Sequence, residues 1–127
     1  MLPEPYRLRR RSDFSVTVRR GRRMGRRDLV VHALEREPAD PVVSASIEGP
    51  RFGLVVSKAV GPAVIRHRVA RRFRHICAGL VDVVPTDTDV VIRALPGSAT
   101  TTSRELDRQV RSVLKKLDLL PGEGDSV

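Results

Sequence analysis

Five arginines and two histidines crowd one short stretch: Arg66, His67, Arg68, Arg71, Arg72, Arg74 and His75. Guanidinium groups grip phosphate oxygens through forked, charge-assisted hydrogen bonds. No aspartate or glutamate lies between Arg51 and Val81 to neutralise them. So much uncompensated charge has a direct use against a polyphosphate and little use against protein. His67 and His75 qualify as general bases by residue type. They are two helical turns apart, about 12 Å by helix rise, which is too far for a close pair. There is no Walker-type phosphate loop and no HExxH pair. Asp82, Asp87 and Asp89 could suggest Mg²⁺, but their place before a strand reads as a solvated loop. One cysteine and three histidines offer no zinc cluster. No catalytic side chain and no metal ligand is therefore assigned.

The arginines need a helix to align them. After the apolar strand Arg51–Lys58 and the break at Gly61-Pro62, the chain reads as one helix up to Leu80. With Val69 at the centre of its apolar face, a 100° turn per residue gathers Ile65, Val69, Phe73, Ile76 and Leu80 on one side. His67, Arg71 and Arg74 then lie on the far side. Cys77, next to the apolar stripe, reads as a small core residue. A single cysteine excludes an intrachain disulfide and suits a reducing compartment.

The rest of the chain supports the same polyanion reading. Residues 1–80 hold 18 basic against 7 acidic residues, whereas residues 81–127 hold 6 against 8. Genome composition bias favours arginine over lysine but does not choose which half is basic, so the segregation points to a polyanion. Only three Phe, one Tyr and no Trp are present, which argues against a platform of stacked aromatics. No segment approaches the length of a membrane span, and no secretory signal is recognised, so the expected location is the cytoplasm.

At 127 residues the chain is expected to form one domain. A basic arm, residues 1–11 with Arg9, Arg10 and Arg11, is expected either as a solvated terminus or as a segment that orders on RNA. Ser12 is a candidate cap for a short helix to Arg20, stopped by Gly21, with Phe14 and Val18 on one face. Arg22, Arg23, Arg26 and Arg27 read as a phosphate-seeking loop. Strands are expected over Asp28–Leu34, Val42–Ile47 and Arg51–Ser57, joined as an antiparallel meander. His32 in the first of these reads more naturally as a packed or surface residue than as a metal ligand. A fourth strand, Asp89–Leu95, follows the arginine helix as a crossover and should run parallel to a strand before that helix. Ser103 is favoured over Thr102 as cap of a last helix, whose apolar face is Leu106, Val110, Val113, Leu114 and Leu117. Residues from about 121 to 127 read as a frayed acidic tail. The fold class is α+β, in the order αβββαβα, as one pair of layers: a four-stranded sheet with three helices.

Gly53-Leu54-Val55-Val56-Ser57-Lys58, then Gly61-Pro62-Ala63-Val64-Ile65-Arg66-His67-Arg68-Val69-Ala70-Arg71-Arg72-Phe73-Arg74, resembles the signature of the bacterial ribonuclease P protein component. Leu8-Arg9-Arg10, Asp13-Phe14 and Gly21 fit its start. That resemblance implies a fold like the second domain of ribosomal protein S5, with a left-handed βαβ crossover. It implies a subunit that joins a catalytic RNA and precursor tRNA, with no membrane and no obligate protein partner. The assembly is a Mg²⁺-dependent endoribonuclease that removes the tRNA 5′ leader. Its chemistry and Mg²⁺ reside in the RNA, and no organic cofactor is implied. By position, Lys58, Arg66, His67, Arg68, Arg71, Arg72 and Arg74 face the catalytic RNA, and Phe14, Val18 and His32 line a leader-binding cleft. Arg9, Arg10, Arg11, Arg22, Arg23, Arg26 and Arg27 extend the basic surface. Pro62 stands where the family carries Asn, and His67 replaces the central Asn of an R-N-R motif. The rivals are a structural ribosome-associated RNA binder and a DNA-binding regulator, the latter disfavoured by the long crossover.

Overall fold

The computed structural model describes residues 2–36 and 49–120. Helix α1 (Arg11–Arg20) leads into strands β1 (Arg22–Gly25) and β2 (Leu29–Glu35). Strand β3 (Arg51–Val55), helix α2 (Ala63–Ala78), strand β4 (Thr88–Ala94) and helix α3 (Ser103–Lys116) follow. The four strands form one sheet in the order β1-β2-β4-β3.

The element order αβββαβα holds, but its first strand is not the expected one. Arg22–Gly25, read above as a loop, is a strand paired antiparallel with β2 from Arg22 opposite Ala33 to Gly25 opposite Val30. Four residues with a single apolar side chain, Met24, carry almost no periodicity, so pairing rather than pattern makes this strand. The expected strand Val42–Ile47 lies outside the described residues.

The expected meander fails for a second reason. β2 and β3 are not neighbours, because β4 lies between them, antiparallel to β2 and parallel to β3. β4 is buried at every residue except Arg93, and such a strand belongs at the centre of a sheet. Its parallel pairing with β3 across α2 is the crossover read from the sequence.

The sheet is covered on both faces, giving three layers rather than the two expected. Strand alternation sends Leu29, Val31, Ala33, Phe52, Val90, Ile92 and Ala94 to one face. They share a core with Val69, Phe73, Ile76 and Cys77 of α2 and Leu106, Val110, Val113 and Leu114 of α3. The opposite face carries Val30, His32 and Leu34 of β2, Asp89, Val91 and Arg93 of β4, and Arg51, Gly53 and Val55 of β3. α1 lies over this face. A Cβ added to Gly53 would stand 2.5 Å from Phe14 Cε1 and Cζ, so the Phe14 ring rests on the β3 backbone there.

Three terminal details depart from expectation. α1 starts at Arg11 with Arg10 as N-cap, so Ser12 lies inside the helix and caps nothing. Thr102, not Ser103, caps α3, its hydroxyl accepting from the Glu105 N–H at 3.1 Å. The N-terminal segment is docked. Leu2 and Leu8 are buried, the Leu8 N–H donates to the Phe52 carbonyl at 2.8 Å, and Arg9 pairs with Glu4. Apolar anchoring at Leu2 and Leu8 outweighs the charge repulsion that a free basic arm would relieve. Gly21 does end α1, though with an extended backbone. Its role is close approach, since a Cβ would meet the Thr17 and Ala33 carbonyl oxygens at 2.4 and 2.7 Å.

Candidate nucleic-acid interface

α2 buries Val69, Ala70, Phe73, Ile76 and Cys77 and turns its arginines outward. Lys58, in a short 3-10 turn before the helix, is exposed, as are His67, Arg68, Arg71 and His75; Arg66, Arg72 and Arg74 are half-buried. Arg66 Nε donates to the Gly61 carbonyl at 3.2 Å, and Arg72 Nη1 to the Thr101 carbonyl at 3.1 Å. Both are carbonyl contacts that leave the positive charge uncompensated. Among the described residues, none of the α2 arginines pairs with a carboxylate. Arg68, Arg71, Arg72 and His75 line one concavity together with Ser103 of α3. The structure thus unites these four but sets Arg66, His67 and Arg74 on the helix's other flank. Pro62 is the N-cap of α2, a position where its missing N–H and fixed φ are harmless. Burial pushes the Cys77 thiol up to about 12, in keeping with a core residue.

The face under α1 supplies the second group. Register places Arg23, His32, Val91 and Gly53 side by side in one lateral row across the four strands. Phe14 covers the Gly53 end of this row. Val18, one turn further along α1, is half-buried. His32 is only 3 % exposed, yet neither ring nitrogen has a hydrogen-bond partner among the described residues. Burial, aided by the charges of Arg93 and Arg23, lowers its pKa below the usual 6.5. The ring is therefore neutral near pH 7, with one donor and one acceptor to offer. Arg93, the neighbour of Val30 in the next row, was missed by the sequence reading. Its signal was an arginine directly after the apolar run Val90-Val91-Ile92.

The remaining basic residues divide. Arg10, Arg11, Arg22, Arg23 and Arg27 are exposed. Arg26 is held to Ser112 Oγ by Nε at 3.2 Å and Nη2 at 3.1 Å. Arg27 borders a buried carboxylate, Asp28, which receives Gln109 Nε2 and Thr101 Oγ1 on Oδ2, each at 2.8 Å. The Asp28 N–H donates in turn to Gln109 Oε1 at 3.0 Å. Asp89 is not the solvated loop residue expected. It is buried in β4 and paired with Arg51 at 2.7 Å and Arg36 at 2.5 Å. Burial explains the miss, since a buried carboxylate must find a partner and two arginines distant in sequence supply it. Among the described residues no group of three or more His, Cys, Asp or Glu is placed to hold a metal ion.

Residues 2–118 match the sequence profile of the family described as Ribonuclease P. The Ribonuclease P protein component of Rhodococcus jostii is 76% identical over 120 residues, covering 94% of each chain. That of Streptomyces griseus is 45% identical over 117 residues, covering 92% of this chain and 95% of its own. In three dimensions the chain is similar to the RNase P protein of Staphylococcus aureus, with a TM-score of 0.76, 22% identity and coverage of 91% and 98%. The RNase P protein of Thermotoga maritima gives a TM-score of 0.71, 22% identity and the same coverage. At that identity the two structures speak to the fold alone.

Proposed function

The chain belongs to the ribonuclease P protein component family, and from that premise we propose how its surfaces divide the work of tRNA 5′ maturation. Family membership gives it a role in tRNA 5′ processing within an endoribonuclease complex, and replaces the ribosome-associated and DNA-binding readings. Lys58, Arg66, His67, Arg68, Arg71, Arg72 and Arg74 dock the catalytic RNA. The observation that carries this assignment is the α2 face, with five arginines and no acid paired to them among the described residues. Six permanent cations against single-stranded phosphates give a log–log salt slope of about −4. His67 contributes a neutral donor and acceptor, or two donors when protonated.

The single-stranded leader of precursor tRNA enters between α1 and the sheet. Phe14, Val18 and His32 line its path, with Arg23 and Arg93 as flanking phosphate contacts. The His32 ring, buried and without a protein partner among the described residues, leaves a donor and an acceptor at this position. His32, 3 % exposed, lies beneath this path, and Phe14 alone offers an aromatic face for stacking. Arg9, Arg10, Arg11, Arg22, Arg23, Arg26 and Arg27 add an outer basic surface, within which Arg26 serves α3 first.

Catalysis belongs to the RNA subunit, which also holds Mg²⁺. The described residues do not fit a Mg²⁺ site: the buried carboxylates Asp28 and Asp89 are occupied by protein donors, and no three candidate ligands come together among them. The protein's part is to bind, orient and lower the electrostatic repulsion between two RNAs. Among the described residues no helix is long and apolar enough to cross a membrane, and assembly with a catalytic RNA supports a cytoplasmic location. The test is cleavage of precursor tRNA by the catalytic RNA at low Mg²⁺, with and without the protein. Stimulation is expected, and the protein alone should cleave nothing. Absence of stimulation, or cleavage without the RNA subunit, would refute the assignment.

A further inference from the structure

α1 has two working flanks. Phe14 and Val18, four apart, share the flank that borders the path given to the leader. Asp13, Val16, Thr17 and Arg20 follow an i, i+3, i+4, i+7 spacing and share another. This second flank closes a concavity of about 330 Å³, which Arg51 and Asp89 line from the sheet. Unfilled space gives no packing contact, so on this side polar contacts must hold the helix.

Ion pairs supply them. Register sets Arg51 of β3 beside Asp89 of β4. Arg51 Nε donates to Asp89 Oδ1 at 2.9 Å and Nη2 to Oδ2 at 2.7 Å. Arg36 Nη1 also donates to Oδ1, at 2.5 Å, and its Nη2 donates to the Gly49 carbonyl at 2.9 Å. The Asp89 side chain is only 5 % exposed. Two-point contact on a buried carboxylate fixes the plane of the Arg51 guanidinium. Its third nitrogen, Nη1, then meets Asp13 Oδ2 of α1 at 3.5 Å. A lysine ammonium lacks the fork and could not serve both carboxylates in this geometry.

Asp13 precedes Phe14, and Arg51 lies two residues before Gly53 on the same face of β3, about 7 Å along the strand. The Phe14 ring rests on Gly53. The first turn of α1 is therefore pinned to β3 at two consecutive residues, by charge at Asp13 and by ring packing at Phe14. The buried Thr17 hydroxyl donates to the Asp13 carbonyl at 2.8 Å, which stiffens that turn.

We propose that Asp13, Arg51 and Asp89 are positioning residues for the leader: they form a strut behind α1 that sets the Phe14 ring in its place over β3. The proposal rests on the leader path between α1 and the sheet and adds the residues that hold its aromatic wall. The test uses the full chain assembled with the catalytic RNA, binding precursor tRNA with a leader of several nucleotides or of one. Asp13→Asn removes an acid, which by charge alone would tighten RNA binding. The strut predicts the opposite sign. Binding of the long-leader substrate should weaken about fivefold, part of what one stacked base contributes. Affinity for the one-nucleotide substrate and for the catalytic RNA should not change. Asp107→Asn, the same charge change at the Arg111 pair on α3, should produce no loss. Arg51→Lys keeps the net charge and should reproduce the loss. Phe14→Leu should weaken leader binding, and adding Asp13→Asn to it should cost nothing more, because Asp13 acts through the ring. In the free protein the Gly53 α-proton beneath the Phe14 ring carries a ring-current shift by NMR, and both Asp13→Asn and Arg51→Lys should reduce it.

Additive losses in the double variant would overturn the strut, as would unchanged Gly53 signals. A loss with Asp13→Asn and none with Arg51→Lys would also overturn it, leaving Asp13 only as a favourable charge at the helix N-terminus. If Arg51→Lys fails to fold, the cycle of Asp13→Asn with Phe14→Leu and the Gly53 signal decide. If Phe14→Leu itself leaves leader affinity intact, the leader path falls, and the Gly53 signal still judges the strut.

Discussion

Replacing Asp28 tests whether a buried charge organises the junction of sheet, α3 and α2. The side chain is 2 % exposed and takes Gln109 Nε2 and Thr101 Oγ1 at 2.8 Å on one oxygen. Asp28→Asn keeps shape and leaves one carbonyl oxygen for those donors, but removes the charge. Hydrogen bonds to a charged acceptor contribute about 1.5–3 kcal/mol and neutral ones about 1 kcal/mol, so two weakened bonds predict a loss of about 2 kcal/mol. Arg27 adds little, because its side chain is 72% exposed and its pairing is screened. Asp28→Ala strands both buried donors and should cost about 4 kcal/mol. The assay is urea unfolding, read as a lower midpoint at unchanged slope. The pH dependence has a definite sign. Burial alone would raise the Asp28 pKa, but hydrogen bonds from Gln109, Arg27 and Thr101 outweigh it and hold the carboxyl below its ordinary 3.8. Its contribution is then complete above the unfolded value and is lost as pH falls through the lower folded value. The gap between wild type and Asp28→Asn should thus be full at pH 6 and close below about pH 3.8. An Asp28→Asn protein with the wild-type urea midpoint at pH 6 would refute the buried-charge reasoning.

Three further outcomes are expected. Burial, with Arg93 and Arg23, lowers the His32 pKa, so the unfolded chain binds the proton more readily. Wild-type stability should fall as pH drops below about 6.5, and His32→Phe should flatten that fall in thermal unfolding; parallel curves would contradict the burial argument. Gly53→Ala places a methyl group 2.5 Å from the Phe14 ring, which should cost about 1–3 kcal/mol and weaken leader binding while sparing affinity for the catalytic RNA. A matched loss of both affinities would mean that the two surfaces are not separate. The Cys77 thiol, pushed up to about 12 by burial, should resist a thiol reagent at pH 8 until urea unfolds the chain. Fast native labelling would place it outside the core.

The arginine helix was the most legible element, because period 3.6 and the absence of acids are visible in a single window. Its apolar residues Val69, Phe73 and Ile76 are buried as the spacing requires. The parallel pairing of β3 and β4 also followed from the strand–helix–strand order. What stayed hidden depends on contacts distant in sequence. Asp28 meets Gln109 and Thr101, and Asp89 meets Arg36 and Arg51, with no local mark in any of the four partners. The position of β4 between β2 and β3 is likewise a choice among pairings, which strand patterns alone leave open. At the site, the motif supplied residue names but not grouping. The division of α2 into a concave and a convex flank needed α3 in place, and Ser103 was noticed only as a candidate cap. The resemblance named His32 as a cleft residue, while its burial, its unpartnered nitrogens and the neighbouring Arg93 required the folded chain.

The sheet order leaves β1 and β3 at the two margins, and each margin is guarded differently. The chain's own start lies along β3, where Arg7 bridges to Phe52. Among the described residues nothing pairs with the outer side of β1, whose sequence begins Arg22-Arg23 and is followed by Arg26-Arg27. Positive charge on a short open strand deters a second copy from adding its own strand there. The charge of these arginines opposes edge-to-edge pairing independently of any RNA contact. A variant designed only to weaken nucleic-acid contacts by neutralising them would also remove the barrier to edge-to-edge association.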